Sequence, residues 1–187
     1  IPWDNTRCNL NCHINLLKIS DTNGATLAHM LARKSDSNHW HTDNPQILKW
    51  KDDKGWTVAH WLALHSAETQ WFTNDADILK LTSSDGTPVA YWLAKFADKN
   101  GWRTTDKSIL KMKHSSGESV ASAYASRLYV FTEAYKDHLV TTASNGEDWT
   151  QDIDILSLSD NSENFRVIDA VVNDTNWPTY DPKILKL

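Results

Sequence analysis

"KGWTVAHWLA", residues 54–63, decides the fold, because its pattern of a turn glycine followed by closely spaced small and apolar residues returns along the chain. Aligned with it are NGATLAHMLA (23–32), DGTPVAYWLA (85–94) and SGESVASAYA (116–125). Their glycines, Gly24, Gly55, Gly86 and Gly117, are separated by 31 residues each time. A second motif keeps step: NLLKI (15–19), QILKW (46–50), DILKL (77–81), SILKM (108–112), DILSL (154–158) and KILKL (183–187). A third, W-x-T-x-[DN]-x-x-I-L, is led by Trp40, Trp71, Trp102 and Trp177. Three motifs in one register predict a stack of repeated units.

Each unit reads as two short helices. The first follows the glycine turn, with the hydroxyl of Thr26 or Thr57 placed to cap exposed backbone N–H groups. Leu27, Ala28, Leu31 and Ala32 then recur at helical spacing, as do Val58, Ala59, Leu62 and Ala63. The second is about two turns long. Asn44, Asp75, Asp106 and Asp181 stand at its N-cap, with Pro45 and Pro182 just inside. Lys49, Lys80, Lys111 and Lys186 fall in its last turn, where a cation meets the negative end of the helix dipole. Helices this short need their neighbours, so the predicted fold is an all-α helical-repeat solenoid with little or no strand.

The expected organisation is a single repeat domain over 1–187. It has an N-terminal half-unit at 1–23 and units at about 24–54, 55–85, 86–116, 117–163 and 164–187. The fourth is longer: Ile109 and Ile155 lie 46 residues apart. Val120, Tyr124, Leu128, Phe131, Tyr135 and Leu139 predict one helical face in that extra length. The last unit, NFRVIDAVV (164–172), has Asn164 for glycine and Asp169 for histidine, as expected of a degenerate end unit.

Composition narrows the function. With 23% charged and 40% hydrophobic residues the chain reads as an ordinary soluble protein, with a cytoplasmic setting favoured. A net charge of −5 and the lack of a basic stripe argue against nucleic acid, and no apolar run is long enough to span a bilayer. Cys8, Cys12 and His13 form C-x3-C-H, which would hold a metal only if His39 or His41 came near. Two free thiols in a terminal cap is the simpler reading, and neither metal nor cofactor is expected. There is no G-x-S-x-G, G-x-x-x-x-G-K, H-E-x-x-H or C-x-x-C, so no enzyme is expected.

The G-x-T-[VPL]-A-H-x-L-A pattern resembles the ankyrin repeat, through Gly24, Thr26, His29 and Ala32, then Gly55, Thr57, His60 and Ala63. The third unit keeps Gly86 and Ala94 but shifts Thr87 and Pro88 by one position and has Tyr91 in the histidine slot. The fourth keeps Gly117 and Ala125, with Ser122 in that slot. Only seven steps separate Leu79 from Gly86, too few for the finger-like turn of ankyrin units. The resemblance implies that His29 and His60 hydrogen-bond backbone between units, as pegs rather than catalysts. It also implies that the slot after the turn glycine faces a concave groove.

That slot holds Ala25, Trp56, Thr87 and Glu118, so an aromatic there is not a demand of the fold. Trp61 and Trp92 share a slot with Met30 and read as packing. The residues that vary after the first helix are Arg33 and Lys34, Leu64 and His65, Lys95 and Phe96, Ser126 and Arg127. The expected function is a non-catalytic module that binds another protein on its concave face through Trp56, Leu64, His65, Lys95 and Phe96. A structural subunit of a larger assembly is the alternative, and a glycan-binding module a further one.

Overall fold

A computed structural model describes residues 14–128, 152–158, 167–172 and 183–186. The described chain is mostly helical. Strand is confined to four isolated bridges, Ser20 with Thr26, Lys51 with Thr57, Thr82 with Pro88 and Lys113 with Ser119. Each bridge closes the turn that leads into a helix, and the four are spaced by the same 31 residues as the glycines.

Three kinds of helix alternate. Short capped helices are α1 (Ile14–Leu17), α4 (Pro45–Leu48), α7 (Ala76–Leu79), α10 (Lys107–Leu110) and α12 (Ile153–Leu156), with a 3-10 turn at Ile184–Lys186. Post-turn helices are α2 (Leu27–Ala32), α5 (Val58–Leu64), α8 (Val89–Lys95), α11 (Val120–Leu128) and α13 (Val167–Val172). Between them come α3 (Ser35–Asn38), α6 (Ser66–Thr69) and α9 (Ala97–Asn100). This third kind corrects the expectation of two helices per unit. Each is one turn long and is stopped by a left-handed residue: His39 (φ 56°), Gln70 (φ 58°) or Gly101 (φ 76°). Phe131, Tyr135 and Leu139 of the predicted long face, and the N-cap Asp181, lie outside the described residues.

The predicted caps form. Thr57 Oγ1 accepts the His60 N–H at 3.2 Å, while the side chains of Asn44, Asp75 and Asp106 each accept the N–H two residues on, at 3.0, 2.9 and 2.8 Å. The lysines at the ends of the short helices also reach across to carboxylates further along the chain. Lys49 pairs with Asp77 at 3.8 Å, Lys80 with Asp106 at 3.7 Å and Lys111 with Asp154 at 3.2 Å. These are solvated pairs, each worth about 0.2–1 kcal/mol.

Successive post-turn helices pack on one another, α2 on α5, α5 on α8, α8 on α11 and α11 on α13. Their alanines make this possible: Ala28, Ala32, Ala59, Ala63, Ala90, Ala94, Ala121 and Ala125 are all fully buried. α3 packs on α6 and α6 on α9. Ile47, Leu48, Ile78, Leu79, Ile109 and Leu110 close the core from the short helices. No helix among the described residues is long and apolar enough to cross a membrane.

The turns also touch one another. The Asp53 N–H donates to the Asn23 carbonyl, and Ser84 Oγ donates to the Lys54 carbonyl at 2.6 Å. Gly55 has φ +71°, and a Cβ there would lie 2.7 Å from the Ser84 backbone nitrogen. Gly86 has φ +86° but open space around it. Gly86→Ala should therefore cost only the left-handed strain, about 1–2 kcal/mol, and Gly55→Ala clearly more. Chemical denaturation of the two variants checks this; equal losses would mean that the contact with Ser84 contributes nothing.

Candidate functional site

The site grows from the turn that carries Trp56. Asp52 Oδ1 accepts the N–H groups of Lys54 (3.1 Å) and Trp56 (2.9 Å), and the Trp56 carbonyl accepts the Asp52 N–H at 2.9 Å. The backbone of Trp56 is thus held on both sides. Its side chain, half-buried rather than exposed, lies against Trp61 (ring centroids 4.7 Å), His60 (5.6 Å) and Trp92 (5.9 Å). Trp61 stands on α5 and Trp92 in the same slot of α8, so Trp56 bridges two successive helices. From Trp92 the rings continue edge-on to Tyr91 (5.4 Å) and His114 (6.0 Å), and Tyr91 stacks on His114 at 4.3 Å.

Two cations sit on this run. The Arg33 guanidinium lies 4.5 Å above the Trp61 ring, and Lys95 Nζ lies 5.6 Å from the Trp92 centroid and 5.9 Å from that of Tyr91. Such contacts stabilise by about 0.5–2 kcal/mol, more as water is excluded. Arg33 also pairs with Asp52 at 3.0 Å, and the Asp52 side chain is only 3% exposed. The indole N–H groups of Trp61 and Trp92 are shielded from solvent and meet no acceptor. Trp71 and Trp102 differ: their indole nitrogens donate to Asp43 Oδ1 (3.3 Å) and the Thr73 carbonyl (3.2 Å). Trp40, Trp71 and Trp102 are core residues.

His60 is fully buried behind Trp56. Its Nδ1 accepts the Thr57 N–H at 3.1 Å, and its Nε2 donates to the Thr87 carbonyl at 3.0 Å, 27 residues on. Because a carbonyl can only accept, the proton resides on Nε2. Burial outweighs every favourable partner and pulls its pKa down to about 4. His29 repeats the arrangement, its Nε2 donating to the Trp50 (3.0 Å) and Trp56 (3.2 Å) carbonyls, and burial lowers its pKa too. With both ring nitrogens engaged, neither histidine has an atom to offer a substrate. Tyr91 occupies the third such slot and reaches the same distance along the chain, donating to Glu118 Oε2 at 2.6 Å. Burial and the Glu118 carboxylate hold its pKa well above the usual phenol value.

Of the five residues expected to form a partner site, ring contacts bring Trp56 and Lys95 together through Trp92. Leu64, His65 and Phe96 sit, like Lys95, at the C-terminal ends of α5 and α8, but no ring contact joins them to Trp56. His65 and Phe96 are junction residues there: the His65 carbonyl accepts from Glu68 and Thr69, and the Phe96 carbonyl from Lys99 and Asn100. Trp61 and Trp92, read from the sequence as packing, join Tyr91, His114 and Arg33 around the ring run, and none of the five was among the residues expected to form the partner site. The one available clue was a slot that changes from Met30 to Trp61 and Trp92, five residues beyond the turn aromatic.

A separate open cleft of about 320 Å3 lies between α7 and α10, lined by Asn74, Leu79, Thr104, Asp106 and Ile109 among others. Among the described residues no group of three or more His, Cys, Asp or Glu side chains is placed to hold a metal ion. Cys8, Cys12 and His13 lie outside those residues. Neither a protein-family model nor a curated protein matches the chain.

Proposed function

We propose that the chain is a non-catalytic binding module built as an ankyrin-like helical-repeat solenoid, and that its ring run receives a partner protein. One observation carries the reading. The tryptophans of one recurring slot (40, 71 and 102) are core, whereas Trp56, Trp61 and Trp92 lie together half-buried at the surface, Trp61 and Trp92 packed against the edge of the core and Trp56 laid over them. Half-buried tryptophans beside arginine have the composition of interface hot spots. The repeated glycine turns, bridges and caps support the solenoid, with units as delimited from the 31-residue register. The ring contacts move the centre of the binding surface away from Leu64, His65 and Phe96, onto Trp56, Trp61, Trp92 and Lys95. Cations already cover faces of Trp61 and Trp92, which weighs against stacking of sugar rings on those faces.

The test is copurification to identify a stoichiometric partner, followed by its affinity for Trp56→Ala and Trp71→Ala. Trp56→Ala is expected to weaken binding about thirtyfold or more while the protein stays folded. Trp71→Ala, which removes a side chain only 5% exposed, is expected to act on stability instead. Normal partner affinity in Trp56→Ala would overturn the reading, as would retention on a glycan array without any protein partner.

A further inference from the structure

The charge of the surface around the ring run is segregated. Residues 27–34, 58–65, 89–96 and 120–128 cover the first four post-turn helices and the residues that follow the first three. They contain Arg33, Lys34, Lys95 and Arg127 and not one Asp or Glu, in a chain whose net charge is −5. The acidic residues stand instead on the one-turn helices, as Asp36, Glu68 and Asp98, on the short capped helices and their caps, as Asp75, Asp77 and Asp106, and in the turns. The turn carboxylates beside the rings are already engaged, Asp85 by Ser83 Oγ and the Thr87 N–H. Asp52 is held by Arg33 and two backbone N–H groups, and Glu118 accepts from Tyr91. Lys95 and Lys34 take part in no ion pair among the described residues. Lys95 instead rests against Trp92 and Tyr91, whose ring faces attract the cation without accepting a hydrogen bond from it, and the Tyr91 hydroxyl is already engaged with Glu118.

From this we infer that the ring run binds an acidic segment of a partner protein, a large apolar side chain seated against Trp56 and Trp92 with an Asp or Glu beside it on Lys95. The inference rests on the binding-module reading above and adds the chemistry of the partner. A lysine with three unused donors, held against apolar rings, gains most from a carboxylate, since the surrounding aromatic surface lowers the local dielectric. A neutral or basic segment would leave that charge desolvated and unpaired, which is how such a surface rejects the wrong partner.

The experiment selects from a random peptide-display library on the full chain, then measures the enriched peptide by fluorescence anisotropy. Enriched sequences should carry Asp or Glu flanking an aromatic or large aliphatic residue. Lys95→Glu, checked for an unchanged circular dichroism spectrum, should weaken the enriched peptide about tenfold or more and shift a second selection toward Lys and Arg. Affinity of the parent protein should fall with added salt. Enrichment of neutral or basic sequences, or undiminished binding to Lys95→Glu, would overturn the inference while leaving a binding module intact. No enrichment at all would overturn both. An oligothymidylate that binds as tightly as the peptide would replace the acidic-peptide assignment with a general polyanion surface.

Discussion

Trp102→Ala is expected to lower the unfolding free energy by about 3–5 kcal/mol, a large share of the roughly 5–15 kcal/mol that a domain commonly has. Trp102 is 0% exposed and meets Tyr124 edge-on at 6.0 Å. Its loss opens a cavity where α8, α9 and α11 come together, since α8 and α9 both pack on α11. It also strips the Thr73 carbonyl of the indole donor at 3.2 Å. Behind the ring, the Trp102 N–H donates to Asn100 Oδ1, and Asn100 Nδ2 donates to Ser66 Oγ and the Leu93 carbonyl. That network ties α6, α8 and α9 together and is buried throughout, so a shift of the backbone at 102 disturbs all of it. Trp102→Phe separates the two contributions: it keeps most of the volume and removes only the donor, at an expected loss of about 1–3 kcal/mol. Urea denaturation of both variants measures the difference. An alanine variant as stable as the parent would mean that the slot is tolerant and that Trp40, Trp71 and Trp102 recur for another reason.

What was legible in the sequence was whatever a single unit displays by itself. Glycine turns, the Thr57 cap, the Asn44, Asp75 and Asp106 caps and the alanine stripe each depend on residues within a few positions of one another, and a 31-residue repetition multiplies the signal. The one-turn helices were hidden because four residues are too few for an apolar period. Their stop residue is a glycine only at Gly101, while His39 and Gln70 adopt the same left-handed backbone without advertising it. The ring run was hidden for a different reason. Trp61 and Met30 both read as large packing side chains, and the contact of Trp61 with Trp56 depends on how a turn lies over a helix. Arg33 finds Asp52 only because α2 packs on α5. The Tyr91 slot makes the same point. Tyr91 stands where the two preceding segments have histidine, and the phenol spans the same 27 residues and meets the Glu118 side chain where His60 meets the Thr87 backbone.

Acid should loosen the protein in a pH window set by its buried histidines. His60 has a pKa of about 4 in the fold against 6.5 for an ordinary histidine. Above 6.5 both folded and unfolded chains hold it neutral, and its stabilising contribution is complete. As the pH falls from 6.5 toward 4 the unfolded chain takes up a proton that the folded chain refuses, so stability declines throughout that interval and levels off below it. The shift corresponds to about 3 kcal/mol across the whole window and about 2 kcal/mol by pH 5. The main cause is burial, which disfavours the charged ring; nearby Lys51 disfavours it further, and a proton on Nδ1 would face the Thr57 N–H at 3.1 Å. His29 adds to the decline with the same sign. The carboxylates with lowered pKa values, Asp85, Asp106 and Asp152, act separately, because their stabilisation is lost only below the ordinary aspartate value of 3.8. His60→Ala should therefore be less stable than the parent at pH 7 by about 1–3 kcal/mol, through the unsatisfied Thr57 N–H and Thr87 carbonyl. It should also lose less on acidification, so that the two stability curves converge toward pH 4. Urea midpoints at pH 7, 6, 5 and 4 for both proteins decide the matter. Parallel curves, or a parent stability that stays flat between pH 7 and 5, would show that His60 is not the group whose protonation the fold resists.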